Sequence, residues 1–356
     1  MLNSTIYIVG IGSISAQGFD EGSLLKDLKP LQQTLSLVKE PNYSEYIEGN
    51  NIRRMGKLMK ASLVAAKRCI ADAHAQPDAI ITGTGLGCME DTVKFLNSVI
   101  EGEGGVLSPT AFIHSTHNTI GSQIAIAVKC MGYNSTYVHR GLSFEQALFD
   151  GILQLITNDA HTNQVMVGGV DDMVPVVFDV LKEFNFWKEE AVPDLPFRSD
   201  RTGSLAGEGM NFLMLSNQLS PRAYARFLGI KMIYKPESTK EVAECLHYFL
   251  LENRLSPNDI DLILLGNNGD VNYLNYYEEV IATFLDVPAI GYYKHLCGEY
   301  FTASAFGLVL ASLMLKNQYV PEAICANYNQ AKPLIKVLLY NQSQGAHHSF
   351  CLLTSI

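Results

Sequence analysis

The sequence predicts an α/β protein with largely parallel sheets, and three observations carry that expectation. Short apolar runs that end in glycine alternate with longer segments whose apolar residues recur at helical spacing. The second half of the chain repeats this grammar without a detectable sequence repeat, which suggests a duplicated body rather than two unrelated domains. The composition suits a large core: of 356 residues, 47% are apolar and 17% charged.

The elements follow in order. "IYIVGIG" (6–12) is an apolar run closed by glycines, the pattern of a buried strand. "RMGKLMKASLVAAKRCIADAHA" (54–75) is an amphipathic helix with basic residues opposite its apolar face. "DAIITGTGLG" (78–87) is a strand running into a glycine turn, and "TIGSQIAIAVKCMG" (119–132) is a small-residue helix fit for close packing. "TYVHRGLSFEQAL" (136–148) reads as the turn that opens a helix around an enzyme nucleophile, with Gly141 at its tightest point. The helix continues as "LSFEQALFDGILQLIT" (142–157), and the strand "QVMVGG" (164–169) comes after it. In the second half, "TKEVAECLHYFLLENRL" (239–255) is helical and "IDLILLGNNG" (260–269) is a strand into a polar glycine turn. "FTASAFGLVLASLMLKN" (301–317) is a second small-residue helix, and "PLIKVLLY" and "SFCLLTSI" close the chain as strands. No low-complexity linker separates the halves, so residues 1–218 and 219–356 are expected to form one fused body.

Charge and cysteine usage exclude several functions. A net charge of -10 leaves no basic surplus for nucleic acid. The seven cysteines show no metal-ligand spacing, and an odd number does not read as a disulfide framework, so reduced thiols and no bound metal or cofactor are expected. No apolar run reaches the roughly 18–20 residues that span a bilayer, and "MLNSTIYIVGIG" lacks the charged start of a signal peptide. A cytoplasmic protein without membrane contact is the expectation.

Several stretches together resemble the β-ketoacyl synthases of the thiolase fold. These are "IYIVGIGSISAQG", then "TGTGLGCMEDTVKFLNSVIEGEGGVLSPTAFIHSTHNTIGSQIAI", then "PFRSDRTGSLAGEGMNFLML", and "YYKHLCGEYFTASAFGL", with a final strand where the family has one. One such motif is weak, but their order across nearly the whole chain is specific. The resemblance implies a five-layered αβαβα arrangement of two pseudo-symmetric halves, the second shortened between "YARFLG" and "STKEV" where the family roofs its active site.

The family condenses acyl groups with a cysteine and two histidines, and none of the three is matched. Counting nine residues from Gly132, or back from Asp159 with "HTNQ" placed after it, puts Gly141 at the cysteine position. No cysteine lies between Cys130 and Cys245. Gly266 or Asn267 stands at the first histidine, and no histidine occurs between His247 and His295. Lys294 matches the motif lysine, Gly298 its glycine, and Glu299 takes the second histidine's place. Gln344 falls where a gating phenylalanine is usual. Condensation needs a thiolate and imidazole donors to an enolate, which glycine and an ionised carboxylate do not supply. A protonated Glu299 could supply one donor.

Other residues have bland and sharp readings. Ser143 is a cap or packing serine before it is a nucleophile. His139 and Arg140 are structural or interfacial before they bind a pantetheine phosphate. Cys88 and Cys297 are small core residues before they are reactive thiols. His347 and His348 could supply displaced histidine chemistry near the pocket mouth. His114, His117 and Asn118 fall in the segment that forms the family's dimer interface. Glu208, between two glycines, is most simply structural.

The resemblance is nearest to chain-length factors, the non-condensing partners of active ketosynthases, and among them to those of aryl polyene and flexirubin-type pigment clusters. It implies a heterodimer with a cysteine-bearing ketosynthase, or a homodimer, and indirect contact with acyl carrier protein. An acidic chain is a poor docking face for an acidic carrier, so the partner is expected to carry the basic patch. The alternatives are a divergent acyltransferase, decarboxylase or thioesterase on the same scaffold, and a homodimeric acyl-binding module.

Overall fold

The computed structural model describes residues 5–20, 22–102, 109–157, 162–191 and 201–356. The first half carries strands β1 (Ile6–Ile14), β2 (Leu35–Ser36), β3 (Ala79–Gly83), β4 (Asn134–Tyr137), β5 (Gln164–Asp171), β6 (Ala206–Gly207) and β7 (Gly209–Ser216). Its helices are α1 (Lys57–Ala73), α2 (Met89–Glu101), α3 (Pro109–His114), α4 (Thr119–Val128), α5 (Ser143–Thr157) and α6 (Pro175–Glu183). The second half has strands β8 (Ala225–Tyr234), β9 (Leu262–Leu265), β10 (Ala289–Tyr292), β11 (Lys336–Ser343) and β12 (His347–Thr354). Its helices are α7 (Thr239–Glu252), α8 (Leu274–Ala282), α9 (Lys294–Cys297) and α10 (Ser304–Asn317).

The strand order is β4-β3-β5-β7-β1 in the first half and β10-β9-β11-β12-β8 in the second. The directions match term for term: the outer two pairings of each half are parallel and the inner two antiparallel. Three antiparallel residue pairs between β1 and β8 join the halves. The expectation of largely parallel sheets is therefore corrected, because half of each sheet is antiparallel. The reason is local in the second half. Gln344 and Gly345 both take positive φ, 55° and 61°, and Ala346 N–H donates to Ser343 C=O at 3.2 Å. That tight turn folds β12 straight back on β11.

The period-2 alternation of side chains divides the apolar runs between layers. On β9, Leu262 and Leu264 face α5 and α10 in the central layer, while Ile263 and Leu265 face the outer layer with α7 and α8. On β3, Ile81 points to the centre and Ile80 to α1 and α4. Strands buried on both faces are why these segments read as continuous apolar runs. Every residue from Ser304 to Leu315 of α10 is buried, which fits a helix apolar all round. The layers run α1/α4, sheet, α5/α10, sheet, α7/α8, the five layers expected.

Candidate functional site

The elbow before α5 comes first. The edge strand β4 leads into a single 3-10 turn over Arg140–Leu142 and then into the helix. Arg140 has φ 48°, so it, and not the neighbouring glycine, is the strained corner where a strand-turn-helix elbow holds its nucleophile. Its side chain is exposed. Gly141 is buried, and a Cβ built on it would stand 2.6 Å from Ser343 Cβ and 3.2 Å from His347 Cβ. The β11–β12 hairpin therefore sits directly on this glycine and leaves no volume for a larger side chain.

Ser143 is fully buried, and its Oγ accepts the His139 backbone N–H at 2.7 Å, which locks the turn. The rings of His139, Tyr234 and His347 cluster with centroids 5.0–5.4 Å apart, and His139 Nδ1 lies 3.0 Å from Gln146 Nε2. Burial, then the neighbouring His139, Arg140 and Lys235, hold the His347 imidazole below its ordinary range. His348 projects from the opposite face of β12, with Nδ1 3.0 Å from Tyr340 Oη and its ring against Tyr276. Its pKa falls to about 4, chiefly through burial. Among the described residues, Ser143, His347 and His348 do not line the cavity beneath α6.

Ser343 does line that cavity of about 370 Å³. It opens at the carboxyl ends of β5, β9 and β11, where open α/β sheets place their ligands. Val177 and Leu181 of α6, with Phe184, Phe186 and Trp187 from the following turn, form one wall. Asp171, Asp172, Asn268, Asp270, Glu299, Tyr300, Ser343 and Gln344 form the other. Gln344 thus stands on the cavity wall.

Glu299 is fixed through both backbone and side chain. Its N–H donates to Leu205 C=O at 2.7 Å, and its C=O accepts from Gly207 N–H at 3.1 Å. This bridge forms because Gly207 and Gly298 face each other without side chains; a Cβ on Gly298 would meet the Gly207 backbone at 2.6 Å. The carboxylate oxygens accept from Lys294 Nζ at 3.0 and 2.8 Å, and Oε2 also accepts from Asn268 Nδ2 at 2.7 Å. Lys294 is buried and donates further to Gln342 C=O at 3.1 Å. With donors on both of its oxygens, Glu299 acts as an acceptor and offers no proton to an enolate.

The loop after β9 differs from the sequence count. Gly266 turns its carbonyl to Tyr277 Oη, which donates at 2.6 Å, and Asn267 Oδ1 accepts Gly269 N–H at 2.9 Å. Neither lines the cavity; the residue of this loop's asparagine pair that does is Asn268. The Asx turn inside "GNNGD" holds Asn267 to the loop backbone and leaves Asn268 on the cavity wall. Gly141 is likewise absent from this cavity's wall, although Ser343, which it packs against, lines it.

Two carboxylates at the end of β5 went unnoticed in the sequence. Asp171 accepts four hydrogen bonds, from Thr84 Oγ1, Gly85 N–H, Thr302 N–H and Thr302 Oγ1, at 2.7–3.0 Å. Asp172 is buried, yet its Oδ1 has no hydrogen-bond partner among the described residues. Burial, then the charges of Glu208 and Asp171, push it up to about 7. The "VDD" at the strand end was the available signal, since adjacent carboxylates there project to opposite sides.

The remaining candidates are structural or superficial. Glu208 is fully buried and ties three segments together, accepting from Val38 N–H at 2.8 Å, Met173 N–H at 3.0 Å and Lys57 Nζ. Burial raises both thiols, Cys88 to about 12 and Cys297 well above its ordinary value, so neither is a ready thiolate. His114, His117 and Asn118 lie at the end of α3 and before α4, beside exposed Phe112, Ile113, Ile126 and Met131. Ser108, Asp159 and the arginine-aspartate turn "PFRSD" (196–200) lie outside the described residues. Among the described residues, no group of three or more His, Cys, Asp or Glu could hold a metal, and no helix is long and apolar enough to cross a membrane.

Residues 39–190 match the family model described as the N-terminal domain of β-ketoacyl synthase. No curated protein matches the chain. Solved structures share its fold from end to end. "The ishigamide ketosynthase/chain length factor" superposes with TM-score 0.81 at 18% identity, covering 99% of each chain. A β-ketoacyl synthase from Burkholderia phymatum STM815 gives TM-score 0.83 at 14% identity, over 99% of this chain and 100% of that one. A ketosynthase (ApeO) in complex with its chain length factor (ApeC), from Xenorhabdus doucetiae, gives 0.77 at 16% identity, over 99% and 98%. The chain resembles β-ketoacyl synthases in sequence over residues 39–190 and in fold throughout.

Proposed function

We propose that this chain, a ketosynthase-like protein of thiolase fold, is a non-condensing subunit of the chain-length-factor type. It would pair with a cysteine-bearing ketosynthase in polyene or polyketide biosynthesis, with the aryl polyene and flexirubin-type systems as the specific context. Residues 1–218 and 219–356 are its two halves. The observation that carries this reading is the elbow. Its corner holds Arg140, the next position is a glycine packed against Ser343, and neither offers sulfur or the room for it. The Lys294–Glu299–Asn268 cluster supports it, because two donors to one carboxylate replace what would have to be donors to an enolate.

A partner surface is available. β4 is an edge strand, and Phe112, Ile113, Ile126, Met131 and Val138 around it are all at least 45% exposed, Met131 95%. Exposed apolar residues near an unpaired strand edge are what an obligate interface leaves bare in a lone subunit. Two thiolase-fold subunits joined there wall each other's pockets, so a subunit without chemistry can still limit its partner's acyl chain. The test is co-expression with a cysteine-bearing ketosynthase from the same genome, followed by size-exclusion chromatography. A co-eluting 1:1 complex, weakened at least tenfold by Met131→Asp with Ile126→Asp, is expected. Separate elution of two stable proteins overturns the reading.

A further inference from the structure

The cavity beneath α6 has a lining of unusual polarity for its position. Asp172 and Asp270 face it, both buried, with Trp187, Phe186, Phe184 and Tyr273 around them. Asp270 Oδ1 accepts the local Asn272 N–H, at 3.0 Å, while Asp172 Oδ1 is buried with no partner among the described residues. Among the described residues, Lys294 bonds Glu299, Lys57 bonds Glu208, and Lys188 donates to the carbonyls of Gly269 and Arg201. A buried carboxylate with an unpartnered oxygen is costly, and its charge favours a cation in the space beside it. A carboxylate with aromatic faces beside it is the arrangement that holds an ammonium group, by an ion pair and by cation–π attraction. A carboxylate-bearing ligand such as a malonyl group would meet like charge on this wall.

We propose that this cavity binds a small organic ammonium, a protonated amine on an aromatic or aliphatic body, with the nitrogen at Asp172 and Asp270 and the body against Trp187. The proposal stands on the cavity alone and not on the subunit reading. The volume of about 370 Å³ lies within the range of small-molecule sites. The groups facing Asp172 are Asp171 beside it, Glu208 and Lys57 bridging from β7 and α1, Glu90 from α2, and the neighbouring Cys88 thiol. Carboxylates dominate this set, so a cation gains and an anion loses there.

Trp187 is the only tryptophan in the chain, so its fluorescence reports occupancy of this cavity without a label. Phenethylammonium, phenethyl alcohol and 3-phenylpropionate present the same body with positive, neutral and negative heads. At pH 8 the purified full chain should show a saturable fluorescence change with phenethylammonium. Its affinity should be at least tenfold above the alcohol, and the carboxylate should give no saturation. Asp172→Asn should lower ammonium affinity at least tenfold. Asp270→Asn, which keeps the acceptor for Asn272 N–H, should lower it several-fold and guards against a folding defect in the first variant. Ammonium affinity should also fall as pH drops from 8 to 6. Equal or tighter binding of the alcohol or carboxylate overturns the proposal. So does undiminished ammonium binding in both variants, or the absence of a saturable response to any of the three probes.

Discussion

The elbow before α5 and the cavity beneath α6 both border Ser343, and they differ in access. The elbow is closed: Gly141 is buried under the hairpin, Ser143 bonds the turn's own backbone, and the ring cluster covers what remains. The cavity is open and carries its ionisable groups on its walls. In a condensing enzyme the nucleophile and its proton donors must share one space. Here the hairpin residue Ser343 borders both regions, Gly141 is buried against it, and neither Gly141 nor Ser143 lines the cavity.

The largest expected effect lies on the open side. Lys294→Met leaves Glu299 with Asn268 as its one side-chain donor, and breaking such a pair by removing one partner costs about 3–5 kcal/mol. Replacing both, as Lys294→Met with Glu299→Leu, should recover most of that loss. Chemical denaturation of the two variants checks this. A single mutant as stable as the double would show that the pair is not the cluster's anchor.

Asp172 gives the next effect, and its sign is set by pH. Its folded pKa, about 7, is above the ordinary carboxyl value of 3.8, so the folded state holds the proton more tightly than the unfolded chain. Below 3.8 both states hold the proton, stability falls as pH rises from there through 7, and above 7 the full cost is present. At pH 8, Asp172→Asn should therefore stabilise the chain by about 2–4 kcal/mol, and at about pH 3.5 by almost nothing. Thermal melts across that range decide it; a stabilisation independent of pH would mean that packing, not charge, sets the cost.

The closed side answers with a smaller effect of opposite kind. Gly141→Cys should not create a condensing site, because its Cβ enters the space of Ser343 Cβ. Overpacking of this sort costs about 1–3 kcal/mol. Adding Ser343→Gly should restore stability by removing the contact. Mass spectrometry after incubation with acylated carrier protein reads the chemistry. An acyl thioester on the thiol introduced by the single substitution would show that the elbow opens after all.

The fold was largely legible because its signals are periodic. Apolar runs between glycine turns marked β1, β3, β5, β9, β11 and β12, and helical spacing marked α1, α4, α5, α7 and α10. The antiparallel return strands were not, since pairing direction leaves no mark on a strand buried on both faces. In the site, Lys294, Glu299 and Gln344 were found by counting from fixed motifs, and all three lie together at or beside the cavity. Asn268 was missed because a side-chain turn one residue earlier sets its direction. Asp172 was missed because its significance lies in what does not bond to it, which no spacing encodes.

The smallest effect separates structure from chemistry at the elbow itself. Ser143 Oγ accepts the His139 N–H at 2.7 Å and is fully buried, so Ser143→Ala removes one hydrogen bond and leaves that N–H to find another partner. Losing such a bond costs about 1 kcal/mol. Because Ser143 does not line the cavity, the Trp187 response to ligands should be unchanged in the same variant. Any hydrolysis of acyl thioesters in the preparation should likewise persist at the wild-type rate. The opposite pattern, unchanged melting with hydrolysis abolished, would make Ser143 a nucleophile and the elbow an active corner rather than a sealed one.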